Sequence, residues 1–260
     1  MRNFGRKYAN MITVAGIIAE MKAMRDDVQR EGLMRFFKTG AGQYGEGDEF
    51  LGIKVPQVRV VVKHAQGLPL CEVPQLLCSP WHEVRLCGLL LMVAIFEKLS
   101  AKRLIDDEKA VHKRDEIVSM YLKYARKANN WDLVDLSAPK IIGHWLMLPS
   151  HIGDKQGIMD GLAHSANLWE QRISMVCTWK TLQMGNAEWC LRYAKIHLHH
   201  EHDLMHKAVG WMLREMGKRM GMDLLRDFLQ HYSKEMPRTT LRYAIEKMDE
   251  KERRRWMEKS

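Results

Sequence analysis

A basic residue recurs along this chain at a fixed step that only a few architectures can accommodate. Arg172, Lys207 and Arg242 stand 35 residues apart, and each enters an apolar or small run: Arg172-Ile-Ser-Met, Lys207-Ala-Val-Gly and Arg242-Tyr-Ala-Ile. Arg85-Leu-Cys-Gly opens in the same way further upstream. Thirty-seven residues before Arg172 the slot holds an acid instead: Asp135, in Trp131-Asp132-Leu133-Val134-Asp135. A near-constant step of 35–37 residues is the length of a helix pair with its turns. The pattern therefore predicts an all-α solenoid of stacked helix pairs.

Local composition agrees with that reading. Met, Leu, Ala, Lys, Arg and Glu dominate, and these are good helix formers. The 19 methionines suit irregular helix–helix cores. Helices are expected near 12–38, 55–66, 81–98, 108–127, 132–147, 154–163, 168–183, 187–198, 203–219, 222–232 and 237–249. Breaks are expected at Gly67-Leu68-Pro69, Ser79-Pro80, Pro149-Ser150 and Met236-Pro237. The β-branched run Val58 to Val62 follows Pro56, so it reads as a helix with proline in its first turn. No domain boundary interrupts residues 1–260. The chain reads as N-terminal helices and a Gly-rich loop over 1–50, a repeat array over 55–249 and a charged tail over 250–260. That tail, with Lys251-Glu252-Arg253-Arg254-Arg255, reads as a solvated helical terminus.

Charge and cysteine usage bound the setting. Lys+Arg is 41 against Asp+Glu 32, a net charge of +9, which favours a polyanionic partner. Cys71, Cys78, Cys87, Cys177 and Cys190 are odd in number and contain no Cys-x-x-Cys pair, as expected for buried thiols in a reducing cytoplasm. The apolar stretch from Met11 to Ala19 stops at Glu20. It falls short of the roughly 20 residues that span a bilayer, and it lacks the pattern of a signal peptide.

Stacking helix pairs brings distant residues together. Equivalent positions on successive inner helices line one surface, and residues four apart share a helix face. Trp131 with Asp135, and Lys207 with Trp211, are both four apart, and Arg172 lies in the same register between them. The five are expected on one patch of a concave basic cleft. Taken singly, a tryptophan at helical spacing is more often core, and Asp135 could equally be an ion-pair partner for a neighbouring repeat's basic residue. The patch would nevertheless support a definite chemistry. A basic row neutralises phosphates without reading sequence. Indole faces attract cations. A carboxylate between them stabilises positive charge that develops during reaction. N3- and N7-alkylated purine nucleosides are already cationic, so the base can leave without a general acid while the sugar becomes oxocarbenium-like.

Five stretches, in order, resemble the alkylpurine DNA glycosylases of the AlkD type, the DNA alkylation repair enzymes. They are Phe36-Phe37-Lys38-Thr39-Gly40, Phe50-Leu51-Gly52-Ile53-Lys54-Val55-Pro56, Asn130 to Asp135, Leu168-Trp169-Glu170-Gln171-Arg172 and Lys207 to Glu215. The resemblance runs from about Phe36 to Met248. It implies HEAT-like helical repeats with double-stranded DNA in a basic cleft. The family's catalytic carboxylate falls on Asp135, its lesion-contacting tryptophans on Trp131 and Trp211, and its active-site arginine on Arg172. It also implies excision without drawing the base into a deep pocket, which an open patch on a helix face would allow.

Other constellations read more plainly. Gly40, Gly42 and Gly45 match Gly-x-Gly-x-x-Gly. However, a helix is expected before them and the acids Glu46 and Asp48 follow, so a loop beside the cleft is expected, with Tyr44 able to touch DNA. His197, His199, His200, His202 and His206 lack the spacing of a metalloprotease or zinc finger and read as a polar helix–helix turn. Glu170 reads as an outer or inter-helix ion-pair partner and Asp132 as a helix cap. Arg214-Glu215 with Lys218-Arg219 reads either as surface pairs or as DNA-backbone contacts.

The expectation is a monomeric, cytoplasmic, nucleoid-associated and monofunctional glycosylase that releases N3- and N7-alkylated purines from double-stranded DNA, with no metal or organic cofactor. Asp135 would stabilise the oxocarbenium and position water, and Trp131 and Trp211 would hold the lesion nucleotide. Arg172 would take a phosphate, with Lys207, Arg214, Arg85, Arg242 and Tyr44 as further DNA contacts. The main rival is a non-catalytic HEAT-repeat module that binds damaged or branched DNA. A protein-binding solenoid is a third reading.

Overall fold

The structure, a computed structural model, describes residues 12–259. Residues 1–11 of the expected N-terminal unit, including Met11 of the apolar stretch, lie outside the described residues, as does Ser260. The fold is all-helical. The chain runs through α1 (Val14–Ala23), α2 (Asp27–Phe36), α3 (Val55–His64), α4 (Val73–Leu77), α5 (His82–Leu99) and α6 (Glu108–Lys123). It continues through α7 (Trp131–Ser137), α8 (His144–Leu146), α9 (Lys155–Ala163), α10 (Leu168–Val176) and α11 (Thr178–Gln183). The last helices are α12 (Glu188–Ile196), α13 (Asp203–Met220), α14 (Met222–Tyr232), α15 (Arg238–Ala244) and α16 (Glu250–Lys259). Among the described residues no strand forms, and a single isolated bridge pairs Glu49 with Trp81.

The sequence step maps directly onto the stacking. α5, α7, α10, α13 and α15 contact one another in succession, each on its next neighbour. Arg85, Asp135, Arg172, Lys207 and Arg242 fall one on each of these five helices. The intervening helices α6, α9, α12 and α14 pack against this row, and one continuous apolar cluster runs from Val14 to Trp256. α5 is buried on every side from His82 to Val93, as a central helix with no solvent face must be. Its N-terminal turn carries three buried polar residues, His82, Glu83 and Arg85, which anchor the neighbouring loop.

Glu83 does this through backbone groups. Its carboxylate accepts from Leu51 N (2.9 Å), Gly52 N (2.8 Å) and Ile53 N (3.1 Å). Gly52 has φ +86, and a Cβ there would lie 2.0 Å from the Asp26 carbonyl. The segment that leads into α3 is thus pressed between α2 and α5.

Several boundaries differ from expectation for local reasons. The helix expected over 12–38 breaks, because Asp26 leaves helical geometry and caps α2 by accepting from Gln29 N at 2.9 Å. The helix expected over 132–147 is interrupted by a π-helical turn over Pro139–Gly143, where Pro139 has no N–H to continue the ladder. The region between the breaks at Gly67 and Pro80 contains the short α4, whose Val73, Leu76 and Leu77 are buried. Val55–His64 is helical with Pro56 in its first turn, as expected. The charged tail is a docked helix. Trp256 is buried, and Arg226 holds Glu252 at 2.7 Å and 2.9 Å. Of the five cysteines, all free, Cys87, Cys177 and Cys190 are buried, whereas Cys71 and Cys78 are exposed.

α13 and α15 pack closely at Gly210, where a Cβ would lie 2.5 Å from both the Thr240 carbonyl and the Tyr243 Cβ. Gly210→Ala is expected to lower stability by about 1–3 kcal/mol through overpacking. Urea unfolding checks this, and an unchanged midpoint would show that the two helices can separate freely.

Candidate functional site

Asn130 starts α7 and fixes its direction, its side chain accepting from Trp131 N at 2.9 Å. Asp132, read above as the cap, points elsewhere: its Oδ2 lies 2.9 Å from His82 Nε2. With the start of α7 fixed, Trp131 and Asp135 fall on one face a turn apart. α10 lies against α7 and supplies Arg172. Arg172 Nε donates to Asp135 Oδ1 at 2.9 Å and Nη2 to Oδ2 at 2.8 Å, a bidentate pair. The third guanidinium nitrogen, Nη1, donates to the Leu204 carbonyl on α13 at 2.6 Å.

This geometry revises the reading of Arg172. Its side chain is 5% exposed, and three of its five N–H groups bond within the protein, two to Asp135 and one to the Leu204 carbonyl, so it orients Asp135. Asp135 remains 16% exposed, and each of its oxygens keeps a second lone pair for an incoming group. Burial pushes the Asp135 carboxyl above its usual range. Arg172 opposes that push, and the nearby charge of Asp132 adds to it.

A cavity of about 420 Å³ opens beside Asp135, contrary to the expected open patch. Its walls are apolar and include Phe36, Phe37, Ile53, Pro56, Trp131 and Leu136. Trp131 stacks on Phe37 at 5.4 Å and meets Phe36 edge-on at 5.8 Å. Phe36 itself is 61% exposed at this aromatic group. Phe36-Phe37 and Lys54-Val55-Pro56 belong to the stretches that carry the family resemblance, but their local pattern assigns them no role. Only the loop closure by Glu83 and Gly52 brings them to α7, and no local pattern encodes that closure.

Beneath the cavity lies a buried charge relay. His82 Nδ1 lies 2.9 Å from Asp48 Oδ2, opposite its contact with Asp132, and Phe50 stacks on the ring at 4.4 Å. Burial opposes the charged imidazole, but the two carboxylates prevail and raise His82 to about 9. Arg85 pairs with Asp48 and donates to the Ser79 and Pro80 carbonyls, both at 2.9 Å. Arg85 is therefore a buried structural cation, and the expectation that it contacts DNA is corrected. Its position in the basic series is real, but at this end of the row the slot is filled by the loop that carries Asp48.

The remaining candidates sit on neighbouring elements. Trp211 is partly buried against the core on α13. Lys207, one turn earlier, pairs with Asp203 at 2.6 Å and stays accessible. Arg214 pairs with Glu246 and lies 3.9 Å from Glu215, which also holds Lys218 (3.1 Å) and Arg219 (3.5 Å). That cluster takes the ion-pair option of the two left open by the sequence. Arg242 is exposed on α15. Tyr44 packs edge-on against Trp169 (6.1 Å) and His202 (6.5 Å), so it pins the Gly-rich loop against α10 and the start of α13. Within that loop Glu46 accepts from Gly42 N at 2.8 Å, so the loop's own carboxylate takes that backbone donor. The histidine-rich stretch is a polar turn, as expected. His197 bonds Ser174 at 2.8 Å, His200 bonds Gln171 at 2.8 Å and His202 caps α13. Glu170 forms the expected inter-helix pair, with Arg126 at 3.1 Å.

Residues 17–248 match the family described as DNA alkylation repair enzyme. A solved protein from Enterococcus faecalis, described as a predicted DNA alkylation repair enzyme, superposes with a TM-score of 0.67 at 16% identity. The match covers 87% of this chain and 97% of that one. No curated protein matches the chain. Among the described residues, no helix is long and apolar enough to cross a membrane.

The buried imidazolium gives a pH prediction. His82 binds its proton more tightly folded, at about 9, than unfolded, at 6.5. Its stabilisation is complete below 6.5 and is lost as pH rises towards 9. NMR titration of the His82 ring should show it protonated through neutrality, with the unfolding midpoint falling over that window. A ring that titrates near 6.5 would remove the charge relay.

Proposed function

The chain belongs to the DNA alkylation repair enzyme family, and from that membership and the site geometry we propose that it is a DNA glycosylase. Its substrates are cationic N3- and N7-alkylated purines in double-stranded DNA, and its reaction is hydrolysis of the N-glycosidic bond. The observation that carries the reading is Asp135, a partly exposed carboxylate held bidentately by Arg172 at the edge of an aromatic-walled cavity. The alkylated base leaves with the bonding electron pair and becomes neutral. The sugar carbon it leaves is oxocarbenium-like, and the fixed negative charge of Asp135 stabilises it. Water adds to that carbon, and its proton passes to Asp135 or to solvent.

Arg172 acts through Asp135: it fixes both oxygens and favours the ionised form against the effect of burial. Trp131 presents an indole edge and face beside the reacting sugar, and Trp211 supports the nucleotide from α13. Accessible Lys207 and Arg242 contribute phosphate contacts along the row of helices. Among the described residues no amine hydrogen-bonds Asp135, which favours hydrolysis without a lyase step.

One observation favours the rival, a non-catalytic module that binds damaged DNA: both Asp135 oxygens already hold a structural partner. The two readings separate in one experiment, base release from a duplex carrying a single 7-methylguanine or 3-methyladenine. Wild type is expected to release the base. Asp135→Asn should lose about 100-fold or more in rate while retaining DNA binding. Binding without release of either base by wild type would leave the scaffold reading.

The raised Asp135 carboxyl sets the acid side of the rate profile. The ionised form is the active one, so release should fall as pH drops through a value above the ordinary 3.8 of an aspartate. Single-turnover rates against pH check this, and a flat profile into the normal carboxylate range would separate Asp135 from the chemistry.

A further inference from the structure

A second cluster of ligating side chains lies on elements that carry none of the residues above. Glu108 is the first residue of α6 and His112 follows one turn later, so both project from one face. His151 comes from the loop after α8, which folds back onto that face. One ligating atom from each of the three lies within 4.8 Å of the others. His151 Nε2 is 3.2 Å from Glu108 Oε2, and the two imidazoles stack at 4.5 Å with an interplanar angle of 28°.

The loop that presents His151 is fixed in place. Asp115, buried on α6, accepts from His151 N at 2.8 Å and from Ser150 Oγ at 2.6 Å. Ser150 Oγ in turn accepts from Trp145 Nε1 at 2.9 Å. Lys155 locks the preceding turn by donating to the carbonyls of Trp145 (2.9 Å), Leu146 (3.3 Å) and Leu148 (2.6 Å). The backbone is therefore preset, and only side-chain rotation separates the three donors from a common centre.

We propose that Glu108, His112 and His151 form a transition-metal site of the zinc class. The donor set of two imidazoles and one carboxylate matches zinc and its borderline neighbours and is a poor fit to magnesium or calcium, which take oxygen. Metal–ligand bonds of about 2.0–2.1 Å place tetrahedral donors roughly 3.3 Å apart, and the His151–Glu108 separation already meets that spacing. Three protein ligands leave one position open. Beside His112 and His151 lies a cavity of about 590 Å³, walled by Leu70, Cys71, Met120 and Ile152. That cavity offers room for water or an exogenous ligand beside the two imidazoles, with the exposed thiol of Cys71 on its wall. Metal bound there ties the loop after α8 to the N-terminal turn of α6, and it is independent of the glycosylase reading.

The test is calorimetric titration of the chelator-treated full chain with Zn²⁺ alone, paired with melting in its presence. Wild type should bind one Zn²⁺ per chain and melt at higher temperature with Zn²⁺. His112→Ala and His151→Ala, both at surface positions, should each weaken binding by about tenfold or more and lose the melting shift while remaining helical by circular dichroism. His199→Ala, in the histidine-rich turn, should bind as wild type, and excess Mg²⁺ should not compete. Wild-type affinity in both His112→Ala and His151→Ala, or the absence of stoichiometric binding, would overturn the site. So would loss of binding in His199→Ala alone.

Discussion

The guanidinium of Arg172 is the joint on which the candidate site depends. It reaches α7 through both oxygens of Asp135 and α13 through the Leu204 carbonyl, so one side chain spans three successive helices of the row. A lone buried carboxylate would be driven towards its neutral form, which cannot stabilise a cation. Removing one partner of a buried pair costs about 3–5 kcal/mol, mostly because the other charge is left uncompensated. The interaction that opposes neutralisation of Asp135 thus also ties successive repeats together. In the proposed mechanism the same bonds carry the structural and the chemical role, so a salt-bridge reading and a catalytic reading of Asp135 are compatible.

A second layer fixes where the cavity sits. His82 lies between Asp48 and Asp132, Arg85 closes Asp48 from the far side, and Phe50 and Phe37 cover the ring. Charges of both signs are buried together, so each offsets the desolvation of the next. The relay links the loop before α3, the start of α5 and the start of α7. Phe37 belongs to both layers, because it also stacks on Trp131. The aromatic wall beside Asp135 is therefore the upper surface of a buried ionic network.

Much of this was legible in the sequence, because the repeat step is a one-dimensional signal. The 35–37 residue recurrence yielded the all-helical stack, and it placed Asp135, Arg172, Lys207 and Arg242 on successive contacting helices. What it could not yield was direction. Arg85 opens the same kind of run on the next helix of the row, yet it turns inward because Asp48, 37 residues earlier in a loop, supplies a buried counter-charge. Arg172 turns towards a carboxylate one repeat away for the same reason. Periodicity specifies which helix a residue occupies and roughly which face. The partner that captures a long flexible side chain is decided by non-local packing. The cavity was hidden for a related reason: Phe36, Phe37, Ile53 and Pro56 come from segments with no repeat signature and are delivered by Glu83 gripping three consecutive backbone N–H groups.

The pairing of Asp135 with Arg172 also limits how the two residues can be exchanged. Lysine at 172 would keep the charge but lose the planar fork that meets both carboxylate oxygens while a third nitrogen reaches Leu204. Asparagine at 135 would keep the shape and one acceptor while removing the charge. These changes act on different quantities: the first on the position and protonation of the carboxylate, the second on the electrostatic stabilisation itself. A repeat architecture makes that separation possible. The acid and the residue that orients it lie on different helices, so the spacing between repeats, and no loop, sets the distance between them.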